Sequence, residues 1–194
     1  MRYNSQRMKD YDSVAKLLQS PNSVGVLPTD TVYGLVAQAR DVDAVQRLYA
    51  LKHREHKPGT LIAASIEQLV ELGHKRRYLS AVSQFWPGAV SVITPCGPEL
   101  EYLHQGKLSL AVRIPDAPAL RALLERTGPL LTSSANDPGH PTAVTVEQAC
   151  TYFGDMVDFY IDGGDLSGQK PSTVIRIIDD EIEVIRQGAV TIEP

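Results

Sequence analysis

Six stretches of this 194-residue chain place hydroxyl, amide or cationic side chains directly after an apolar run or at a helix end: Thr29–Thr31, Lys52 with Arg54, Arg113, Ser134 with Asn136, Ser172 and Arg186. These residue types suit an anion. Arginine offers a planar fork that matches carboxylate and phosphate oxygens, lysine a point charge, and Ser, Thr and Asn further hydrogen bonds. The run Thr132-Ser133-Ser134-Ala135-Asn136-Asp137-Pro138-Gly139 adds small donors and a glycine, a composition in which backbone N–H groups can surround an anion. Alone, that window reads equally well as a polar turn capping the next helix. No Ser–His pair for nucleophilic catalysis is in view, and Cys96 and Cys150 form no CxxC metal pair. Six such segments in one chain converge most simply on one anionic ligand pocket, and a nucleoside triphosphate fits the set.

The elements that must carry these groups follow from hydrophobic periodicity. From Asp10, Tyr11, Val14, Leu17 and Leu18 mark an amphipathic covering helix that Pro21-Asn22 stops. Ser23–Leu27 reads as a buried strand. Pro28, lacking an N–H, cannot extend a central ladder, so Thr29, Asp30 and Thr31 emerge at the strand's end. Asp41 caps a helix with Val42, Val45, Leu48, Tyr49 and Leu51 on one stripe. Lys52, Arg54 and Lys57 lie at its C-terminal end, where cations also complement the helix dipole, so their position alone assigns no ligand. Leu61–Ala64 is expected as a strand and Ile66–Leu72 as a helix ended by Gly73. His74-Lys75-Arg76-Arg77 is expected as an exposed basic run.

Further along, Phe85-Trp86-Pro87-Gly88 makes an aromatic turn into a strand at Val90–Thr94. Ser109–Ile114 is a strand whose Arg113 requires a partner; a carboxylate of the protein and a carboxylate of a ligand both satisfy it. Ala119–Glu125 is a helix, and Leu130-Leu131 a strand running into the Thr132–Gly139 window. Thr145 and Gln148 have capping-box spacing before a helix carrying Val146, Ala149, Cys150 and Phe153. A loop at Asp162–Gly168 delivers Ser172 and Thr173 to a strand, Val174–Ile178, that turns at Asp179-Asp180 into Ile182–Ile185, with Arg186 at its end. Strands alternating with helices make this an α/β chain, most simply one domain over residues 1–194.

A composition of 43% hydrophobic and 22% charged residues supports a sizeable core, and a net charge of −4 argues against a wholesale nucleic-acid coat while leaving room for a local basic patch. Two free cysteines suit a reducing cytoplasm. The N-terminus is polar where a secretory signal is apolar, and no run approaches the ~20 apolar residues of a membrane span. A cytoplasmic protein with no membrane association is expected.

In order along the chain, LPTDTVYGL, Lys52-x-Arg54 followed by Lys57-Pro58, FWPG, AVRIP, TSSAN with Gly139, STVI and IRQG resemble the signature of the threonylcarbamoyl-AMP synthases, the YrdC/Sua5 (TsaC) family. The resemblance spans about Asn22 to Val190 and implies the short, single-domain form. It implies a three-layer YrdC/RibB-like α/β fold with a twisted mixed β-sheet and a basic concave cavity. The implied reaction joins L-threonine, bicarbonate or CO2, and ATP into threonylcarbamoyl-adenylate and pyrophosphate, for N6-threonylcarbamoylation of adenosine 37 in tRNA. By motif position it implies a threonine site at Thr31, Arg113, Thr132 and Ser172. It implies an ATP site at Lys52, Arg54, Ser109, Ser134, Asn136, Thr142 and Arg186, with Lys52 and Arg54 acting in catalysis. Mg2+ is expected with the triphosphate, no protein metal site is expected, and threonylcarbamoyltransferase partner proteins are implied downstream. The chain departs from the pattern at Ala63-Ala64, where many members carry a histidine, and at Lys57. Two rival readings are a double-stranded RNA or tRNA-binding relative without robust synthase activity, and a carbamoyl-adenylate activity.

Overall fold

The computed structural model describes residues 6–8, 11–53, 57–179 and 181–193. In chain order the regular elements are β1 (Gln6–Met8), α1 (Tyr11–Leu18), β2 (Val24–Pro28), β3 (Tyr33–Gln38), α2 (Val42–Leu51), β4 (Thr60–Ile62), α3 (Ile66–Leu72) and α4 (Arg76–Ser80). There follow β5 (Val90–Pro95), α5 (Glu101–His104), β6 (Ser109–Arg113), α6 (Pro118–Thr127), β7 (Leu130–Ser134), α7 (Val146–Phe153), β8 (Phe159–Ile161), β9 (Thr173–Ile178) and β10 (Glu181–Arg186). The strands form one mixed ten-stranded sheet in the order β1-β8-β2-β3-β7-β4-β6-β5-β9-β10.

Period-2 alternation decides which layer each side chain joins. One face carries Val26, Leu35, Ala37, Leu61, Val112 and Leu131 into the larger core, beneath residues of α2, α3 and α7 such as Leu48, Leu69 and Phe153. The opposite face carries Leu27, Val36, Ile62 and Leu130 under α1 and α6, through Val14, Leu18, Leu120 and Leu124. The result is helices, sheet, helices, a three-layer α/β arrangement as expected.

Local chemistry explains most boundaries. Asp41 Oδ1 accepts from the Ala44 N–H at 3.0 Å and caps α2 as expected. Thr145 Oγ1 accepts from the Gln148 N–H at 3.4 Å. The Gln148 amide oxygen reaches back to the Val144 N–H at 3.0 Å, one residue before the cap. Pro28 proves to be the last residue of β2, beyond Gly25 and Val26, the only two that pair with β8. The chain then reverses at once into β3, an apolar strand the sequence reading passed over, with Pro28 opposite Tyr33. The basic run from His74 divides: His74 is buried, its Nδ1 3.3 Å from Thr94 Oγ1, whereas Lys75, Arg76 and Arg77 are exposed. Burial pushes the His74 pKa down to about 4, with Glu99 opposing. Of the expected Asp179-Asp180 turn, Asp180 lies outside the described residues.

Candidate active site

α1 and α6 cover only part of their sheet face. Beyond them the sheet floors a groove of about 500 Å³. Directly paired residues share a face. Register therefore lays Thr132, Thr60, Ala111, Ile93 and Arg176 in one row across β7, β4, β6, β5 and β9. At ~4.8 Å per strand that row runs roughly 19 Å. All five residues line the groove.

Two glycines keep the floor open. A Cβ on Gly34 would lie 2.5 Å from Thr132 Oγ1, and one on Gly59 2.6 Å from the Thr132 carbonyl oxygen, so any larger residue pushes into the threonine they flank.

The β2–β3 reversal presents Thr31. Thr29 Oγ1 accepts from the N–H groups of Thr31 and Val32, both at 3.2 Å, and donates to the Val32 carbonyl at 2.7 Å. That closed turn fixes Thr31, whose hydroxyl is 3.0 Å from Thr29 Oγ1, against the groove.

Arg113 finds a carboxylate within the protein. Its Nη2 pairs with Asp30 Oδ1 at 3.0 Å, with the two side chains only 4% and 3% exposed, and its Nη1 donates to Ser91 Oγ at 3.2 Å. Burial depresses the guanidinium pKa and Asp30 opposes the shift. Ser91 Oγ donates in turn to Ser172 Oγ at 2.9 Å, and Arg186 Nη2 donates to the Ser172 carbonyl at 2.8 Å. A continuous chain of polar contacts thus runs Asp30–Arg113–Ser91–Ser172–Arg186. Two buried atoms of it, Arg113 Nε and Asp30 Oδ2, have no hydrogen-bond partner among the described residues. Buried polar atoms without partners are uncommon and mark places where another molecule can supply the bond.

Lys52 is placed differently. It is buried, does not line the groove, and its ammonium donates to the carbonyl oxygens of Ser134 (2.9 Å) and Asn136 and to Asn136 Oδ1 (3.0 Å). Asn136 Oδ1 also accepts from Ser134 Oγ at 2.7 Å, while its Nδ2 donates to the carbonyls of Asp137 and His140. Lys52 therefore pins the end of β7 to the turn that follows it, and Ser134, the last residue of β7, lines the groove.

Of the residues expected from sequence, Thr31, Ser109, Arg113, Thr132, Ser134, Ser172 and Arg186 meet in this one groove, and Lys52, Asn136 and Thr142 do not line it. Arg54 lies outside the described residues. Ala63 is in the core beneath α3 and away from the groove. Sequence reasoning missed Ser91, Asp30 as the partner of Arg113, and two groove cations, Lys107 and Arg176. A signal for Arg176 existed, since Val174-Ile175-Arg176-Ile177 sets an arginine within an apolar strand as Ala111–Ile114 does. Lys107, in a loop, had none.

The described groove wall carries four cations, Lys107, Arg113, Arg176 and Arg186, and no carboxylate residue. Positive side chains along a concave wall raise the local concentration of anions. Among the described residues no three His, Cys, Asp or Glu side chains group as metal ligands. Among the same residues no helix is long and apolar enough to cross a membrane.

Comparison with known proteins agrees with this fold. The Sua5/YciO/YrdC family model, described as telomere recombination, matches residues 18–188. A putative threonylcarbamoyl-AMP synthase of Mycobacterium tuberculosis (strain ATCC 25618 / H37Rv) is 37% identical over 174 residues, covering 87% of this chain and 79% of that protein. The threonylcarbamoyl-AMP synthase of Bacillus subtilis (strain 168) is 34% identical over 185 residues, 92% of this chain and 54% of its own. Among solved structures, P. abyssi Sua5 complexed with L-threonine superposes with a TM-score of 0.82 at 28% identity, over 95% of this chain and 56% of that one. The chain spans little more than half the length of these last two.

Proposed function

Because this chain belongs to the Sua5/YciO/YrdC family, we propose that its groove is a threonylcarbamoyl-AMP synthase site, joining L-threonine, bicarbonate or CO2, and ATP into threonylcarbamoyl-adenylate with release of pyrophosphate. The observation that carries this reading is the groove wall itself, with four cations, no carboxylate residue and a line of hydroxyls between them. Such a wall suits a small zwitterionic amino acid beside a triphosphate.

The threonine end is Thr31, Arg113, Thr132 and Ser172. Thr31 and Thr132 offer hydroxyls to the small polar side chain. Arg113, already neutralised by Asp30, offers its remaining N–H capacity to the amino-acid carboxylate. The ATP end is Ser109, Ser134 and Arg186, with Asn136 and Thr142 in the segment after β7. Lys52 serves it as a positioning residue by holding Ser134 and Asn136, and Arg54 is assigned to the phosphates by motif position alone. The carbamate oxygen of N-carboxylated threonine attacks the α-phosphorus, the bond to the bridging oxygen breaks, and pyrophosphate leaves. Fixed reactants and positive charge supply the catalysis, with no covalent nucleophile. Magnesium carried by the triphosphate would neutralise charge on its phosphate oxygens.

The product then serves tRNA adenosine 37 through threonylcarbamoyltransferase partners, in the cytoplasm, with residues 1–194 acting as a single domain. A duplex-RNA binder is not favoured, because a groove of about 500 Å³ fits a small molecule and not a helix. The test is pyrophosphate release on incubation with ATP, bicarbonate and single amino acids. Release that requires both bicarbonate and threonine is expected; its absence from folded protein sinks the reading.

A further inference from the structure

Two of the four groove cations, Lys107 and Arg176, have no role in the residue set above. Lys107 lies at the end remote from Arg113, and Arg176 lies partway toward it. Along β6 the groove-facing residues step from Arg113 to Ala111 to Ser109, with Lys107 just beyond, exposed between Gly106 (φ +79°) and Leu108 (φ +52°). That places Ser109 roughly 13 Å from Arg113 at ~3.3 Å per residue. Arg176 stands two strands over from Ala111, level with it through Ile93.

Arg176 is tethered loosely. Its Nε and Nη2 both donate to one oxygen, Glu183 Oε2, at 2.9 and 2.6 Å, and Nη1 has no partner among the described residues. Register sets Glu183 directly opposite Arg176 on the outermost strand, so the pair shares the groove's face. Both side chains are nearly half exposed, 45% and 47%. An exposed pair of this kind contributes little and exchanges readily for a more highly charged anion.

We propose that Lys107 and Arg176 grip the terminal phosphates of a polyphosphate, with Glu183 acting as an internal competitor that occupies Arg176 until the polyanion displaces it. The direction of the reaction argues for this end of the groove. In an in-line displacement the leaving group departs on the side of the α-phosphorus away from the nucleophile. With threonine at Arg113 and ATP reaching Ser109, the groove along β6 leads a departing pyrophosphate toward Lys107, with Arg176 two strands to the side. The identity of the polyphosphate as ATP and its product rests on the synthase reading; the anion grip does not.

The test is calorimetric titration of the full chain with inorganic pyrophosphate and separately with ATP, for wild type, Arg176→Gln, Lys107→Gln, Glu183→Gln and the Arg176→Gln/Glu183→Gln double variant, with circular dichroism as the check on folding. Pyrophosphate affinity is expected to fall about fivefold or more in Arg176→Gln and in Lys107→Gln, and to rise several-fold in Glu183→Gln. The gain should vanish when Arg176 is also absent. Folded variants that bind pyrophosphate within twofold of wild type, a Glu183→Gln gain that survives loss of Arg176, or no saturable binding to folded wild type overturns the proposal. Threonine-dependent turnover is measured separately. Its absence beside intact, Arg176-dependent pyrophosphate binding removes the synthase reading and leaves the grip standing.

Discussion

Asp30 and Arg113 make the sharpest test of how this groove is built. Asp30→Asn keeps the shape and one acceptor but removes the charge that faces a guanidinium with only 4% exposure. What remains beside Arg113 is uncharged, the Asn oxygen and Ser91 Oγ at 3.2 Å. Removing one partner of a buried ion pair costs about 3–5 kcal/mol, because the other charge is left without compensation in a poorly solvated place. For a chain of this length about 4 kcal/mol corresponds to a melting point lower by roughly 10 °C. Urea denaturation followed by circular dichroism reads the loss directly. The exposed pair Glu67–Arg76, with side chains 63% and 56% exposed, is the control. Glu67→Gln there should leave the urea midpoint essentially unchanged. Adding Arg113→Met to Asp30→Asn should return part of the loss, since the stranded charge is then gone. The threonine KM should rise in Asp30→Asn, because Arg113 loses the contact that orients it. An Asp30→Asn protein as stable as wild type, with an unchanged threonine KM, would refute the claim that this carboxylate holds Arg113 in its working position.

Lys52→Met removes the buried ammonium from the Ser134 and Asn136 carbonyls. A loss of about 3 kcal/mol is expected from unfolding curves, with weakened ATP binding, by the usual worth of charged hydrogen bonds; a change below ~1 kcal/mol counts against the pinning role. Gly34→Ala drives a Cβ to 2.5 Å from Thr132 Oγ1. Overpacking of about 1–3 kcal/mol and a raised threonine KM are expected, and an unaltered KM would separate Gly34 from the threonine end. His74 makes stability depend on pH, since its folded pKa near 4 lies below the ordinary 6.5. As pH falls below about 6.5 the unfolded chain takes up a proton that the folded chain refuses, so stability drops by about 2 kcal/mol between pH 7 and 5 and levels off below 4. Denaturation of wild type and His74→Leu across that range checks it; equal slopes would free His74 of the effect.

The order of strands and helices, the caps at Asp41 and Thr145, and most of the groove's polar residues were legible in the sequence, because each depends on neighbours a few residues away. Alternation along Ser109–Ile114 already set Arg113 on one face, and the small residues after Leu131 already announced a turn rich in donors. What a strand meets across the sheet is another matter. Asp30 and Arg113 are separated by 83 residues and Ser91 and Ser172 by 81, so no local pattern could pair them. The same holds for Lys52, whose place at a helix end suits a phosphate ligand, yet whose ammonium is carried by packing to the end of β7 and the turn that follows it. Arg176 becomes a groove residue only because β9 lies beside β5 in register. Composition and periodicity thus determined that the chain would build an α/β sheet edged with anion-binding groups, through forces that act between near neighbours in sequence. Which of those groups face the ligand and which hold the others in place was decided by the sheet order, since the cost of burying a charge is settled by whatever partner the fold brings to it.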